Sequence, residues 1–193
     1  PPVPGRTKVE LFPEGGFLIA GLASRIAFKA TNQFGIPVRI KGLLLNDKDK
    51  TIDTLKVKHD GMGRFNVLCK PGESYKINWT DENGNKGTTP LVAGKTEGVN
   101  LSVTTTNDKA LVRMERTQGV TDNFKQLHLL VHMNQQLYYK VAINMAEKNA
   151  LSAQIPIDEM PTGILQFSLF TADWIPIAER IVFVNNHLHE FNV

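Results

Sequence analysis

Along most of this chain, hydrophobic residues recur at every second position. Ile26 and Phe28 alternate with Arg25 and Lys29, and Val38 and Ile40 with Arg39 and Lys41. That period belongs to a strand with one face buried and the other in water. The stretch ELFPEGGFLIAGLASRIAFKATN, Glu10 to Asn32, sets the plan. One extended run ends at Leu11-Phe12-Pro13, Gly15-Gly16 turns the backbone, and two further runs flank Leu22-Ala23-Ser24.

The pattern predicts strands near 8–12, 17–22, 25–31, 38–46, 54–59, 64–70, 75–80 and 99–105. Turn chemistry separates them: Asn-Gln-Phe-Gly at 32–35, Asn-Asp-Lys-Asp at 46–49, Asp-Gly-Met-Gly at 60–63, Pro71-Gly72 and Asp-Glu-Asn-Gly at 81–84. The expected inward residues are Ile26, Phe28, Val38, Ile40, Leu55, Val57, Phe65, Val67, Tyr75, Ile77 and Trp79. Arg39, Lys41, Lys56, Lys58, Lys76 and Asn78 should face water. The pattern resets at Thr104–Asp108, which reads as a short polar hinge. A second set of strands is expected at 110–115, 126–133, 137–145, 151–155, 164–170 and 177–184. The fold class is therefore all-β: two consecutive antiparallel immunoglobulin-like β-sandwiches, residues 1–105 and 106–193. A link this short implies modules with restricted relative orientation.

Composition narrows the function classes. Hydrophobic residues make up 41% of the chain and charged residues 21%, as in a globular domain. No apolar run approaches the ~18 residues of a membrane span. The opening PPVPGRTK has no apolar core, so it reads as a linker or the edge of a longer protein. The net charge of +3 is split: residues 1–105 carry 15 Lys and Arg against 10 Asp and Glu, residues 106–193 carry 7 against 9. These cations alternate along strands instead of clustering in sequence, so no nucleic-acid partner is expected. Cys69 is the only cysteine. It is in phase with Phe65 and Val67, which predicts an inert core thiol.

Two motifs then point to a family. HDGMGRFNVLCKPGESYKINW, His59 to Trp79, resembles the Asp-x-x-Gly-x-Phe … Pro-Gly-x-x-Tyr signature of macroglobulin-type and prealbumin-like sandwich domains. With FPEGGFLIAGLASRIAFKA and GILQFSLFTADWIPIAERIVFVN (Gly163–Asn185), the chain resembles the alpha-2-macroglobulin-type N-terminal region of large Gram-negative envelope proteins. The resemblance implies macroglobulin-type sandwiches in the periplasm or at the outer membrane. It also implies protein partners or further domains of the same chain, often including a TonB-dependent-receptor-like plug. It does not carry over the thioester chemistry of protease-trapping macroglobulins, because Cys69 sits in Leu-Cys-Lys-Pro and not in Cys-Gly-Glu-Gln.

No catalytic constellation, cofactor site or metal site is expected. His128 and His132 share a strand face but stand about 13 Å apart, too far for one metal with bonds near ~2.1 Å. His187 and His189 are closer, yet lack a local ligand set. Asp47, Asp49, Asp81 and Glu82 read as turn formers. No Gly-x-Ser-x-Gly elbow marks a nucleophile. Trp174, in the loop Thr-Ala-Asp-Trp-Ile-Pro, and Tyr138, beside Tyr139 on alternating faces, are the candidate ligand or partner contacts. The sequence thus predicts a non-enzymatic structural or interaction module of the cell envelope. The alternative is a carbohydrate- or peptide-binding sandwich.

Overall fold

The structure is a computed structural model and describes residues 5–92, 94–119 and 121–186. Within them the regular elements are fourteen strands, paired antiparallel, and one 3-10 turn at Asp122–Phe124, joined by turns and loops. It divides into two compact units. One takes the chain through Glu14 and from Leu18 to Thr96; the other takes Gly15–Phe17 and the chain from Glu97 onward.

The first unit holds β1 (Lys8–Pro13), β2 (Ala23–Thr31), β3 (Ile40–Asn46), β4 (Thr51–His59), β5 (Met62–Leu68), β6 (Tyr75–Asp81) and β7 (Lys86–Leu91). Their hydrogen-bonded order is β1-β2-β5-β4-β3-β6-β7. β4 changes partner along its length: it pairs with β3 from Thr51 to Lys56, and with β5 from Val57 to His59. The sheet curls about that crossover, so that β1 and β7, its two ends, approach each other around one core. Nine of the expected inward residues are buried, and Val57 and Trp79 pack half-buried on the same cluster. Two local expectations fail. Residues 17–22 form no strand; Ile19 makes only an isolated parallel bridge to Lys95. Lys86–Leu91, polar and interrupted by Pro90, is an edge strand that alternation does not reveal.

The two sequence motifs have physical roles here. Gly63 lies directly across from Phe28, whose ring fills the space a side chain would take. In the turn before β6, the Tyr75 hydroxyl donates to Glu73 Oε2 at 2.7 Å and accepts from the Lys70 backbone N–H at 3.1 Å, pinning the corner that Gly72 makes at φ +79°. Cys69 is buried beside this corner. Burial, and then the Glu73 charge, push its thiol up to about 11. At pH 8 a thiol of that acidity is only about 0.1% thiolate, so a maleimide or disulfide reagent should label Cys69 only after denaturant is added. Rapid stoichiometric labelling of the folded chain would contradict this placement.

Asp81 closes the β6–β7 hairpin. Its carboxylate accepts from Thr7 Oγ1 at 2.6 Å, from the backbone N–H groups of Asn83 and Asn85, and from Asn85 Nδ2. Burial alone would raise its pKa, but the hydrogen bonds from Thr7, Asn85 and Asn83 outweigh it, and the group titrates below its ordinary value. A carboxylate more acidic in the folded than in the unfolded chain stabilises the fold above the unfolded pKa, about 3.9 for Asp. That contribution is lost as pH falls through the folded value. The urea midpoint should therefore drop below about pH 4 in the native chain, and less steeply in Asp81→Asn. Parallel curves for the two proteins would remove Asp81 from the acid response.

The second unit is a three-on-four sandwich. Its strands are β8 (Val99–Thr105), β9 (Lys109–Arg116), β10 (Gln126–Met133), β11 (Gln136–Asn144), β12 (Ala150–Pro156), β13 (Gly163–Thr171) and β14 (Pro176–Val184). One sheet runs β12-β9-β8, the other β11-β10-β13-β14, and a single cluster that includes Leu101, Met114, Leu129, Met145 and Phe167 fills the space between them. The expected hinge at Thr104–Asp108 is instead the turn of the β8–β9 hairpin, closed by the Thr106 N–H donating to the Lys109 carbonyl. Those polar residues look like a linker because a tight turn and a linker share the same composition. β8 thus belongs with the second unit, and residues 104–108 do not join the two. Together the units make the chain all-β, built of antiparallel immunoglobulin-like sandwiches.

Candidate functional site

The outer face of sheet β11-β10-β13-β14 carries Trp174 and the side chains around it. At one end is Trp174, in the β13–β14 turn. Three hydrogen bonds tie this turn: Thr171 N–H to the Ile175 carbonyl, Trp174 N–H to the Thr171 carbonyl, and Ile175 N–H to Thr171 Oγ1. Trp174 sits at φ +62°, a region that residues with a side chain rarely enter. This backbone turns the indole back over the sheet. Its ring stacks on His128 with centroids 4.2 Å apart and planes 5° from parallel, and it meets Phe170 at 5.7 Å. His128 and Phe170 are direct cross-strand neighbours, so β10 and β13 supply a ready floor. Lys140 Nζ, from β11, lies over the indole 4.7 Å from its centroid, a cation–π contact. Trp174 nevertheless remains 43% exposed.

The middle of the face is polar. Ser168 is flanked by His132 Nε2 and Glu179 Oε2, each 3.5 Å from its hydroxyl, and Gln166 Nε2 donates to the same Glu179 oxygen at 2.6 Å. These are the residue types of a hydrolytic triad in the wrong order. In a triad the carboxylate holds the imidazole, and the imidazole takes the serine proton. Here the serine stands between the other two, and the carboxylate faces Gln166 and the hydroxyl. The far end of the face is apolar. Ile164 and Phe183 are direct cross-strand partners, as are Gln166 and Ile181. Ile164, Ile181 and Phe183 are 58%, 56% and 62% exposed.

Tyr138 does not join Trp174. A bulge between Val131 and His132 makes Tyr138 the extra residue of β11, and both Tyr138 and Tyr139 pack half-buried on the core. The expected alternation of the two tyrosines fails there, because a bulge interrupts the two-residue period. His187 and His189 lie outside the described residues. Among the described residues, no three His, Cys, Asp or Glu side chains gather as a metal site, and no helix is long and apolar enough to cross a membrane.

Sequence reasoning misses the stack under Trp174. It weighs His128 only as a metal ligand, and rejects it on its distance from His132, whereas its outward phase on β10 is the usable signal. It also misses Arg116. In β9 the even positions, Ala110, Val112 and Met114, point inward, and Arg116 continues their phase. The residue is buried, and among the described residues its guanidinium donates to carbonyls alone: Nε to Met145 and Lys148, Nη1 to Thr117, Nη2 to Ala146.

No protein-family model matches this chain, and no curated protein matches its sequence. Solved structures do align with it at low identity. The three N-terminal domains of the Highly Immunogenic Outer Capsid protein of bacteriophage RB49 are 10% identical over 93% of this chain and 59% of theirs, at a TM-score of 0.37. Salmonella alpha-2-macroglobulin is 8% identical over 96% of this chain and 17% of its own, at 0.36. A two-domain fibronectin type III segment of chicken tenascin is 14% identical over 93% of this chain and 99% of the segment, at 0.32. The chain thus spans 59% of the first of these and 17% of the second. Bacterial macroglobulin domains are among the structural neighbours, at low identity. With every one of these scores below 0.5, the fold assignment rests on the sheet order and cores described above.

Proposed function

We propose that this chain is a non-catalytic interaction module of a larger bacterial envelope protein, acting in the periplasm or at the outer membrane. The observation that carries this reading is the apolar end of the outer face of sheet β11-β10-β13-β14. Antiparallel sheets usually turn a polar face to water. Here Ile164, Ile181 and Phe183 adjoin one another on strands whose inward residues already fill a core. Adjoining exposed apolar side chains of this size mark an interaction surface. The partner is a protein, or another domain of the same full-length chain. The envelope setting comes from the resemblance of His59–Trp79 and its companion stretches, as does a TonB-dependent-receptor-like plug in the same protein.

A photo-cross-linker at Phe183, in cells making the full-length protein, tests this. One discrete adduct in the envelope fraction is expected. Its yield should fall about tenfold when Ile164 and Ile181 become serine, as at an interface centre. A cross-linker at exposed Gln126, on the same sheet, should give none. Equal adducts from both positions, or no adduct from Phe183, would sink the reading.

The exposed indole supports a second reading, a carbohydrate or peptide platform at Trp174. A ligand there would compete with the Lys140 ammonium and would keep the His128 stack. Hits on a glycan array that disappear with Trp174→Ala would favour it over the first.

A further inference from the structure

We infer that the first unit carries a binding site for the phosphate or sulfate esters of an anionic polysaccharide, built where β4 leaves β5 for β3. Pairing between those strands ends at Val57↔Gly63. Beyond it the strands diverge and leave a depression of about 280 Å³. Four cations line it: Arg25 from β2, Arg64 from β5, and Lys56 and Lys58 from β4. They are far apart in sequence, but β2, β5 and β4 are consecutive in the sheet, so the alternation that turns each of them outward brings them to one place. A second depression of about 720 Å³, on the other side of Lys56, extends the positive surface to Lys41 and Arg39 on the β3 side. Four strands at about 4.8 Å spacing carry the row over roughly 14 Å, which suits a linear ligand with repeated charges.

What distinguishes these cations is that they are both gathered and unpaired. Other exposed cations either have close partners, as Lys8 has Glu10, Lys76 has Asp49, Arg113 has Glu115 and Lys125 has Asp122, all within 2.7 Å, or, like Lys29, Lys86 and Lys148, line neither depression. Arg39, Lys41, Lys56, Lys58 and Arg64 form no ion pair among the described residues, and Arg25 reaches Glu14 only at 3.8 Å. Lys41 and Lys56 stand directly opposite each other in the β3–β4 register. Like charges in that relation destabilise a sheet. One carboxylate, Asp53, lines the smaller depression, and its Oδ1 accepts the Thr54 N–H. Asp81 and Glu82 line the β6 side of the larger depression, and Asp81 is taken up by Thr7, Asn83 and Asn85. The positive charge is therefore concentrated on the β2-β5-β4 side, where four cations face one carboxylate, as an oxyanion site requires. No exposed aromatic lines either depression, since Phe65 is turned into the core. Nucleic-acid single strands need such stacking surfaces and neutral sugars favour them; a charged polysaccharide needs neither.

Dextran sulfate and uncharged dextran are the probes. Isothermal titration should show dextran sulfate binding and no dextran binding. Changing Lys56, Lys58 and Arg64 together to glutamine should weaken dextran sulfate about tenfold or more, with a shallower salt dependence. A control changing Lys8, Lys125 and Arg113 to glutamine removes the same charge elsewhere and should weaken it less than about twofold. The groove variant should unfold at or above the temperature of the native chain, because it relieves repulsion. Amide shift mapping on the unaltered chain supplies a reading independent of any variant: dextran sulfate should move Lys56–Lys58 and Arg64–Asn66 first. Equal loss in both variants, shifts spread over both units, or about tenfold tighter binding of a single-stranded oligonucleotide would overturn the inference. The cross-linking result at Phe183 is separate and stands or falls on its own.

Discussion

Replacing Arg116 by methionine is expected to destabilise the second unit by about 4 kcal/mol, as removal of a buried charge hydrogen-bonded through all three of its nitrogens does. Arg116 ends β9, and its guanidinium reaches four carbonyls, three of them in the β11–β12 loop. Its own N–H donates to the Asn149 carbonyl, and Met145, at the loop's start, is fully buried. The side chain is therefore what satisfies an irregular loop that passes through the edge of the core. Buried carbonyls left without donors cost ~1–3 kcal/mol each, less whatever water repairs. Methionine matches the volume, so the loss reports the hydrogen bonds and not a cavity. Lysine keeps the charge, but it offers one point of donation where arginine offers a planar fork. Arg116→Lys should therefore recover less than half of the loss, about 1–2 kcal/mol. Urea unfolding followed by Trp174 fluorescence measures both. A cost below about 1 kcal/mol for Arg116→Met would mean that water replaces the guanidinium freely.

Parity explains what the sequence can and cannot yield. Where one face of a strand is buried, every second residue declares its side, and so Ile26, Phe28, Phe65 and Ile77 are legible as core. The same rule places Arg116 inward, but a charge in that phase looks like an exception until its acceptors are known. Three of the four lie some thirty residues away in a loop with no pattern. β7 escapes because an edge strand needs no alternation and tolerates Pro90. Alternation misplaces Tyr138 and Tyr139 because a bulge resets the period. Thr104–Asp108 passes for a hinge because composition cannot tell a hairpin turn from a linker. The candidate sites are less visible still. Arg25, Lys56, Lys58 and Arg64 look like solvated alternation along the chain; they converge only through the order β2-β5-β4, which no local pattern encodes. Trp174 is legible as a loop aromatic, but its stack on His128 depends on a left-handed backbone that the sequence does not announce.

Gly63→Ala should be nearly as damaging in the first unit, costing about 3 kcal/mol, the upper range for forcing atoms into a packed core. A Cβ at this position would stand 2.3 Å from the Lys56 carbonyl oxygen and 2.5 Å from Cζ of Phe28. Neither neighbour yields easily. The Phe28 ring is 1% exposed and packs beside Phe65 with centroids 6.5 Å apart. The Lys56 carbonyl is main chain, at the point where β4 changes partners. Gly72→Ala is the matched control. Gly72 has φ +79° but nothing within 4 Å of the point a Cβ would occupy, so it should cost only the ~1–2 kcal/mol of a left-handed alanine. The sign of the difference separates two readings of the Asp-x-x-Gly-x-Phe motif: a glycine kept for backbone freedom, or one kept for the space that Phe28 occupies. A double-mutant cycle with Phe28→Leu should return at least about 1 kcal/mol of coupling, since the smaller side chain vacates that space. If Gly63→Ala costs no more than Gly72→Ala, the space reading is wrong. If it costs more, β4 must shift at its crossover. Because Lys56 and Lys58 ride on that segment, the same single methyl should also weaken dextran sulfate binding although none of the four cations is replaced.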